Sequence, residues 1–251
     1  MLTKIMKYDF LAMGRTLLPI YGITLIICAL GAIILNTDVL YESSIVGVLI
    51  ILMIYALFAV VVLTLVFSVQ RFNKGLLKNE GYLNFSLPVS TFTHVIAKLM
   101  NLTIWSIILG FVLMIGLLLI VFITSFLSGD GLETIFYFIE YLFEDLEFNE
   151  FFSFIQYALA IAVSSIAIGS KIFASMSIAH IVKRYKTLAG ILFFSLLTVI
   201  QTTIGTSIES QFNLIDDFQT IINTQTLLNV IVIAITTYLT WFILDKRLNL
   251  E

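Results

Sequence analysis

Six long apolar runs leave this chain few possible folds. They cover about 17–35, 45–69, 96–127, 151–181, 188–206 and 227–244. A helix needs about 20 apolar residues to cross the hydrocarbon core of a bilayer, so each run is long enough to span it. Charged residues make up 12% of the chain, about half the share in a soluble domain. The sequence predicts an all-α membrane protein with six transmembrane helices in one domain over 1–251.

The charges between the runs indicate an orientation. Apart from Lys171, all Lys and Arg residues lie before the first run, in 70–98, in 183–186 or after the sixth run. The other three loops contain twelve of the sixteen acidic residues and no cation. Cytoplasmic loops collect Lys and Arg. We therefore expect both termini, 70–98 and 183–186 in the cytoplasm of a multi-pass plasma-membrane protein, with a bacterial source.

Residues 1–16 predict an amphipathic helix on the membrane surface that leads into the first span. No small-residue cleavage site ends the following run, which argues against a signal peptide. One cysteine, Cys28, excludes an intrachain disulfide and a cysteine metal cluster. The apolar stripe of the amphipathic helix contains Leu2, Ile5, Met6, Phe10 and Met13, and Lys4, Lys7, Asp9 and Arg15 lie elsewhere.

The segment 70–98 is the longest polar interruption on the basic side, with four cations and one acid. Residues 80–87 predict a short helix, which Pro88 ends because the residue before a proline avoids helical geometry. Ser90 or Thr91 can cap the next helix. We place Lys98 and Asn101, at the start of the third span, at the water interface. An ordinary solvated loop is the alternative.

This segment resembles the cytoplasmic loop of permease subunits of type-2 class ABC exporters. In that class an acid–Gly pair, leucine-rich residues, Pro-x-Ser and a lysine that opens the next span recur between the second and third spans. The topology is also similar, most of all to small permeases found beside peptide- or antibiotic-handling ATPases in Gram-positive bacteria. The matching residues are Glu80, Gly81, Leu83, Leu87, Pro88, Ser90 and Lys98.

The resemblance implies a coupling helix that docks into a separate ABC ATPase subunit. It also implies two permease chains, identical or different, with two ATPases, and a smaller contact from the second basic loop. The chain lacks a GxxxxGK[ST] phosphate loop. We thus expect a non-enzymatic subunit without its own cofactor, with ATP and Mg on the partner. The residues implied in coupling are Glu80, Gly81, Tyr82, Leu83, Phe85, Leu87, Pro88 and Arg184. In this class the larger outer element lies between the fifth and sixth spans, whereas here the third-to-fourth loop is longer.

Lys171 is the one ionisable residue that falls clearly inside a predicted span. A charge there is costly and usually faces protein or water, which makes it a candidate for the substrate path. The alternative is a lysine that snorkels to the headgroups. Small residues in this span, including Ser165 and Gly169, permit close helix packing, and Gln156, Gln201 and Thr202 are candidates for hydrogen bonds between helices.

The outer segment 128–150 is acidic and predicts an amphipathic helix on the outer leaflet. Glu140, Glu144 and Glu147 are candidates for an electronegative rim that attracts cationic peptides or ions; a solvated acidic face is the alternative. The segment lacks the spacing of a dedicated calcium site. His94 and His180 belong to no HExxH motif, so we expect polar interface roles for them and no metal site.

These patterns predict the membrane subunit of an exporter that moves a peptide or another amphipathic substrate, such as an antimicrobial peptide or toxin. Two other functions stay open. One is a sensor or immunity protein that binds such a peptide without transport, and the other is an ion channel or secondary carrier. The few, membrane-bound cations argue against nucleic-acid binding.

Overall fold

The fold is described from a computed structural model, which covers residues 2–35, 45–77, 81, 86, 89–127, 133, 136–137, 148–182, 185–211 and 218–246. All long elements in these ranges are helices. They are α1 (Leu2–Leu35), α2 (Ile45–Phe72), α3 (Thr91–Leu127), α4 (Phe148–Ala179), α5 (Lys186–Gln211) and α6 (Phe218–Lys246), with a π-helical turn, Asn73–Leu77, that continues α2.

All six helices are long and apolar enough to cross a membrane. Large apolar side chains cover their outer surfaces; Phe58 is 64% exposed and Leu192 is 66% exposed. Exposed apolar patches of this extent do not suit water but suit lipid. The predicted all-α membrane fold with six transmembrane helices is confirmed. The side of the membrane that each end faces stays a prediction.

The helices extend past the apolar runs that predicted them. α3 begins five residues before its run, at Thr91, and α6 begins at Phe218. Helical hydrogen bonding continues through polar residues where a helix leaves the hydrocarbon layer, so apolarity underestimates its length. α1 is continuous from Leu2 to Leu35, with Pro19 inside it. The surface position of 1–16 remains a prediction.

The chain packs into two compact units. Unit 1 contains Met1–Leu11, Phe67–Ile104 and Gln156–Glu251, and unit 2 contains Ala12–Val66 and Trp105–Ile155. In unit 2, Trp105 is 1% exposed and a Cβ at Gly14 would lie 3.3 Å from its ring. The hydroxyls of Tyr21 and Thr64 hydrogen-bond at 3.0 Å. Close packing and one buried polar pair thus hold this unit.

Unit 1 has its hydrophobic core where the segment 70–98 leaves α2 and enters α3. The rings of Phe72 and Phe173 stack there with centroids 4.1 Å apart and planes 6° apart. The start of α1 and the end of α6 both contact the first turns of α3, so they lie at this same end of unit 1, called here the loop end. The core contains Phe72, Leu76, Leu77, Val95, Leu99, Leu102, Phe173 and Leu244.

Candidate functional site

Two buried charges, Asp9 and Lys98, and the partly exposed Arg71 form a cluster at the loop end, called here the charged anchor. The Arg71 Nε donates to Asp9 Oδ1 at 2.9 Å, and the Lys98 Nζ donates to Asp9 Oδ2 at 2.5 Å. The Asp9 and Lys98 side chains are each 7% exposed. One carboxylate therefore bridges two cations, and its pair with Lys98 lies away from water, where an ion pair is screened little.

The charged anchor fixes both ends of the segment 70–98. Arg71 lies in the last turn of α2, and Lys98 lies two turns into α3, so Asp9 of α1 binds the two helices on either side of the segment. The Asn101 amide also donates to the Met6 carbonyl at 3.3 Å. Lys98 and Asn101 were expected at the water interface, but both are buried, because Asp9 and the start of α1 cover them.

The described part of the segment itself is also closely packed. Gly75, Leu76 and Leu77 of the π-helical turn are buried. A Cβ at Gly81 would lie 2.7 Å from the Leu76 carbonyl oxygen, so glycine alone fits there. Ser90 precedes α3 and accepts a hydrogen bond from the Thr93 amide at its Oγ, at 3.4 Å. Of the two predicted caps, Ser90 is the one that forms.

Most residues of the predicted coupling surface lie outside the described residues, and so does the acidic rim. Within the coupling set the structure describes Gly81 only. The role of these residues stays a prediction. Those outside the described ranges are Glu80, Tyr82, Leu83, Phe85, Leu87, Pro88 and Arg184 in the coupling set and Glu140, Glu144 and Glu147 in the rim.

Lys171 lies inside unit 1, and its side chain crosses from α4 to α5. It is 5% exposed, its Nζ donates to Gln201 Oε1 at 2.8 Å, and it lies 5.9 Å from the centroid of the Phe194 ring. The snorkelling alternative is wrong, because the ammonium points into the helix bundle. No carboxylate contacts Lys171 in the described part of the chain.

A line of hydrogen bonds, called here the polar chain, continues from Lys171 across three helices. The Gln201 Nε2 donates to Asn229 Oδ1 at 2.7 Å, and the Asn229 Nδ2 donates to Ser164 Oγ at 3.0 Å. The chain thus runs from α4 to α5, on to α6 and back to α4. Lys171 and Ser164 are seven residues apart, which is about two helical turns or 10 Å on one face of α4.

The polar chain ends at a cavity between α4 and α6. The cavity has a volume of about 670 Å³, within the roughly 300–1,000 Å³ of small-molecule sites. Its lining is mostly apolar, with polar groups at a few positions. The residues of interest are Tyr157, Ser164, Ser165, Ile168, Gln225 and Thr226.

Other polar residues in the spans form contacts between helices. The Gln156 amide of α4 donates to Asn223 Oδ1 and accepts from Gln219 Nε2, both on α6, and the Thr236 hydroxyl donates to Ser170 Oγ at 2.9 Å. The predicted interhelical bonds of Gln156 and Gln201 are confirmed. The one predicted for Thr202 is wrong, because its hydroxyl donates to the Val199 carbonyl of its own helix at 3.0 Å.

Sequence reasoning placed Asp9 off the apolar stripe of residues 1–16, which is wrong because Asp9 is buried, and it overlooked Asn229. Asp9 falls on the same helical face as Leu2, Met6 and Met13, so it interrupts the apolar stripe at a position that faces protein. Asn229 shares one face of α6 with Thr236 and Thr240, at spacings of seven and four. Polar residues that recur at helical spacing inside a span are the signal that was available.

Comparison of the chain with protein-family models, with curated proteins and with solved structures found no match.

Proposed function

We propose that this protein is the permease subunit of an ATP-driven ABC exporter. The segment 70–98 is the part that a partner ATPase holds, and the substrate is a peptide or another amphipathic molecule. The observation that carries the proposal is that both ends of this segment are fixed to the core that contains Phe173, two residues from Lys171. This arrangement supports a mechanical connection from a loop to a polar path inside the membrane.

The connection consists of two kinds of contact. The charged anchor joins the start of α1 to the ends of α2 and α3 that flank the segment. Phe72 then stacks on Phe173, and Leu102 packs against Gly169, where a Cβ would overlap its side chain. Close-packed interiors transmit strain, so a force on the segment would reach α4 on both sides of Lys171.

The proposed cycle needs a second permease chain, identical or different, and two ATPase subunits that bind ATP and Mg. Closure of the ATPases pushes the segment 70–98. The ends of α2 and α3 carry the displacement into unit 1, and α4 shifts against α5 and α6. The polar chain is the contact among these three helices, so its rearrangement opens the path for the substrate.

The test begins with the neighbouring reading frames, one of which we expect to encode an ABC ATPase, and continues with reconstitution of the two proteins. Liposomes containing both proteins should show ATP-dependent movement of a labelled cationic peptide or lipid-like probe. The Gly81→Val variant should retain ATP hydrolysis but lose transport, because a side chain there displaces the segment from Leu76. The control is Gly22→Val, since a Cβ at Gly22 meets nothing within 4 Å.

Normal transport by Gly81→Val, or failure of the ATPase to bind the protein, would contradict the proposal. Peptide binding by the protein without transport in the presence of the ATPase would instead favour the sensor or immunity function.

One observation favours a second candidate function, an ion channel or secondary carrier. Such proteins place polar residues on several helices inside the membrane, and the polar chain does so on α4, α5 and α6. The protein reconstituted alone distinguishes the two functions. Ion or solute flux without ATP would support the carrier, and flux that requires both the ATPase and ATP would support the exporter.

A further inference from the structure

Lys171 determines the direction of every hydrogen bond in the polar chain. An ammonium donates and cannot accept, whereas an amide has one accepting and one donating end. Gln201 must turn its oxygen to Lys171, so its nitrogen faces Asn229. Asn229 in turn accepts with its oxygen and donates with its nitrogen to Ser164. Each donor therefore points away from the charge and toward the cavity.

Ser164 is the last member of the polar chain, and it retains one hydrogen. Its oxygen accepts from Asn229, and within the described residues its hydroxyl hydrogen has no acceptor. Ser165 also lines the cavity but differs, because its hydroxyl donates to the Ala162 carbonyl of its own helix at 2.8 Å. Only Ser164 of this pair offers a donor to a molecule in the cavity.

The polar chain connects this donor to the ammonium of Lys171. Lys171 has no carboxylate among its described contacts, and successive hydrogen bonds polarise one another in a low-dielectric interior. A donor at the end of such a line favours an anionic acceptor, since hydrogen bonds to charged groups are shorter and stronger than neutral ones. The head group that matches Ser164 is a carboxylate.

The rest of the cavity selects the body of the ligand. Ile161, Ile168, Ile221 and Ile222 also line it, and these side chains offer no hydrogen bond. An apolar chain packs against them by van der Waals contact, as helices pack on one another inside a membrane. The combination of an apolar lining and one positively polarised donor fits a single-chain amphiphile.

We propose that the cavity between α4 and α6 binds an acyl-chain carboxylate, with the carboxylate on the Ser164 hydroxyl and the chain along the isoleucines. The site deepens the proposed function by naming its substrate class. Its role in transport rests on that function, but binding does not, because no ATPase takes part in it.

The experiment measures binding of cis-parinaric acid, a fluorescent polyene fatty acid, to the purified full-length protein in detergent micelles, by energy transfer from tryptophan. We expect saturable binding that palmitate displaces. Ser164→Ala and Lys171→Met should each weaken it by about tenfold, because each removes one charge-assisted interaction. Ser164→Thr, which keeps a hydroxyl, should retain binding.

The control is Ser195→Ala, which removes a hydroxyl that donates to the Leu192 carbonyl of its own helix, outside the cavity lining, and should leave binding unchanged. Ile168→Trp should abolish binding by filling the cavity, and circular dichroism should show the wild-type helix content in each variant. The alcohol with the same polyene chain should bind at least tenfold more weakly than the acid, since it carries no charge.

Equal affinity of Ser164→Ala and the wild type would overturn the site, and so would an equal loss in Ser195→Ala. Equal affinity for the acid and the alcohol would overturn the carboxylate assignment. Binding without ATP-dependent transport would refute the exporter function and leave the site intact. ATP-dependent transport by a protein that binds no parinaric acid would refute the carboxylate site and leave the exporter function intact.

Discussion

The charged anchor and the polar chain both bury a lysine in unit 1, but they stabilise it in different ways. Lys98 has a carboxylate at 2.5 Å, which a second cation shares. Lys171 has an amide oxygen at 2.8 Å and the face of a ring. A buried charge with its counterion stabilises a fold that depends on it, whereas a buried charge without one costs free energy. The charged anchor therefore suits a structural contact between helices, and the polar chain suits a binding site.

The largest effect is expected in the charged anchor. Asp9→Asn removes the carboxylate that bonds the buried Lys98 and the partly exposed Arg71, and loss of one partner of a buried ion pair costs about 3–5 kcal/mol. The free energy of unfolding in detergent should fall by that amount. Asp245→Asn is the control, because Asp245 accepts one hydrogen bond from Thr91 at an exposed position. Similar losses in the two variants would show that the anchor is not a structural contact between helices.

The next largest effect is expected where the core beside the charged anchor contacts α4, close to the polar chain. Gly169 precedes Lys171 by two residues, and a Cβ there would overlap Leu102, a member of the core beside the anchor. Gly169→Val should destabilise the protein by about 1–3 kcal/mol through overpacking. Gly110→Val, where a Cβ meets nothing within 4 Å, should not. Leu102→Ala in the Gly169→Val background should recover part of the loss; no recovery would contradict the proposed contact.

The same substitution in the two regions should act in opposite directions. Lys98→Met removes half of the anchor and should lower the unfolding temperature. Lys171→Met removes a lysine that costs free energy in a span, so its free energy of unfolding should stay unchanged or rise by up to about 2 kcal/mol, while transport is lost. Thermal unfolding and transport in liposomes measure the two outcomes. Normal transport by the Lys171→Met variant would contradict the assignment of Lys171 to the substrate path.

The smallest effect is expected from a neutral hydrogen bond near the polar chain. Thr236→Val removes a buried bond to Ser170, and such bonds between membrane helices contribute about 0.6 kcal/mol on average. Thr202→Val is the control, because its hydroxyl bonds only its own helix. A loss above that of Asp9→Asn would mean that neutral bonds, rather than the ion cluster, hold unit 1 together.

Several features of the candidate site could be read from the sequence. Lys171 was identified because a charge inside an apolar run is rare, and Gln201 was identified as a residue that bonds across helices. The bond between them was not predicted, because α4 and α5 can rotate about their axes without changing either hydropathy profile. The role of Asp9 was missed because it was grouped with the solvated charges of residues 1–16, although its position on the apolar stripe places it against protein.

The sequence by itself determined the number of helices and their approximate bounds, since the transfer of a helix into lipid depends on the apolarity of about 20 consecutive residues. It also determined which loops are basic and which are acidic. Only the tertiary structure decided which buried polar groups meet. Asp9 joins Arg71 and Lys98 across 62 and 89 residues, and Lys171 reaches Ser164 through Gln201 and Asn229. Hydrogen bonds require contact within about 3 Å, and helix packing alone brings such distant residues that close.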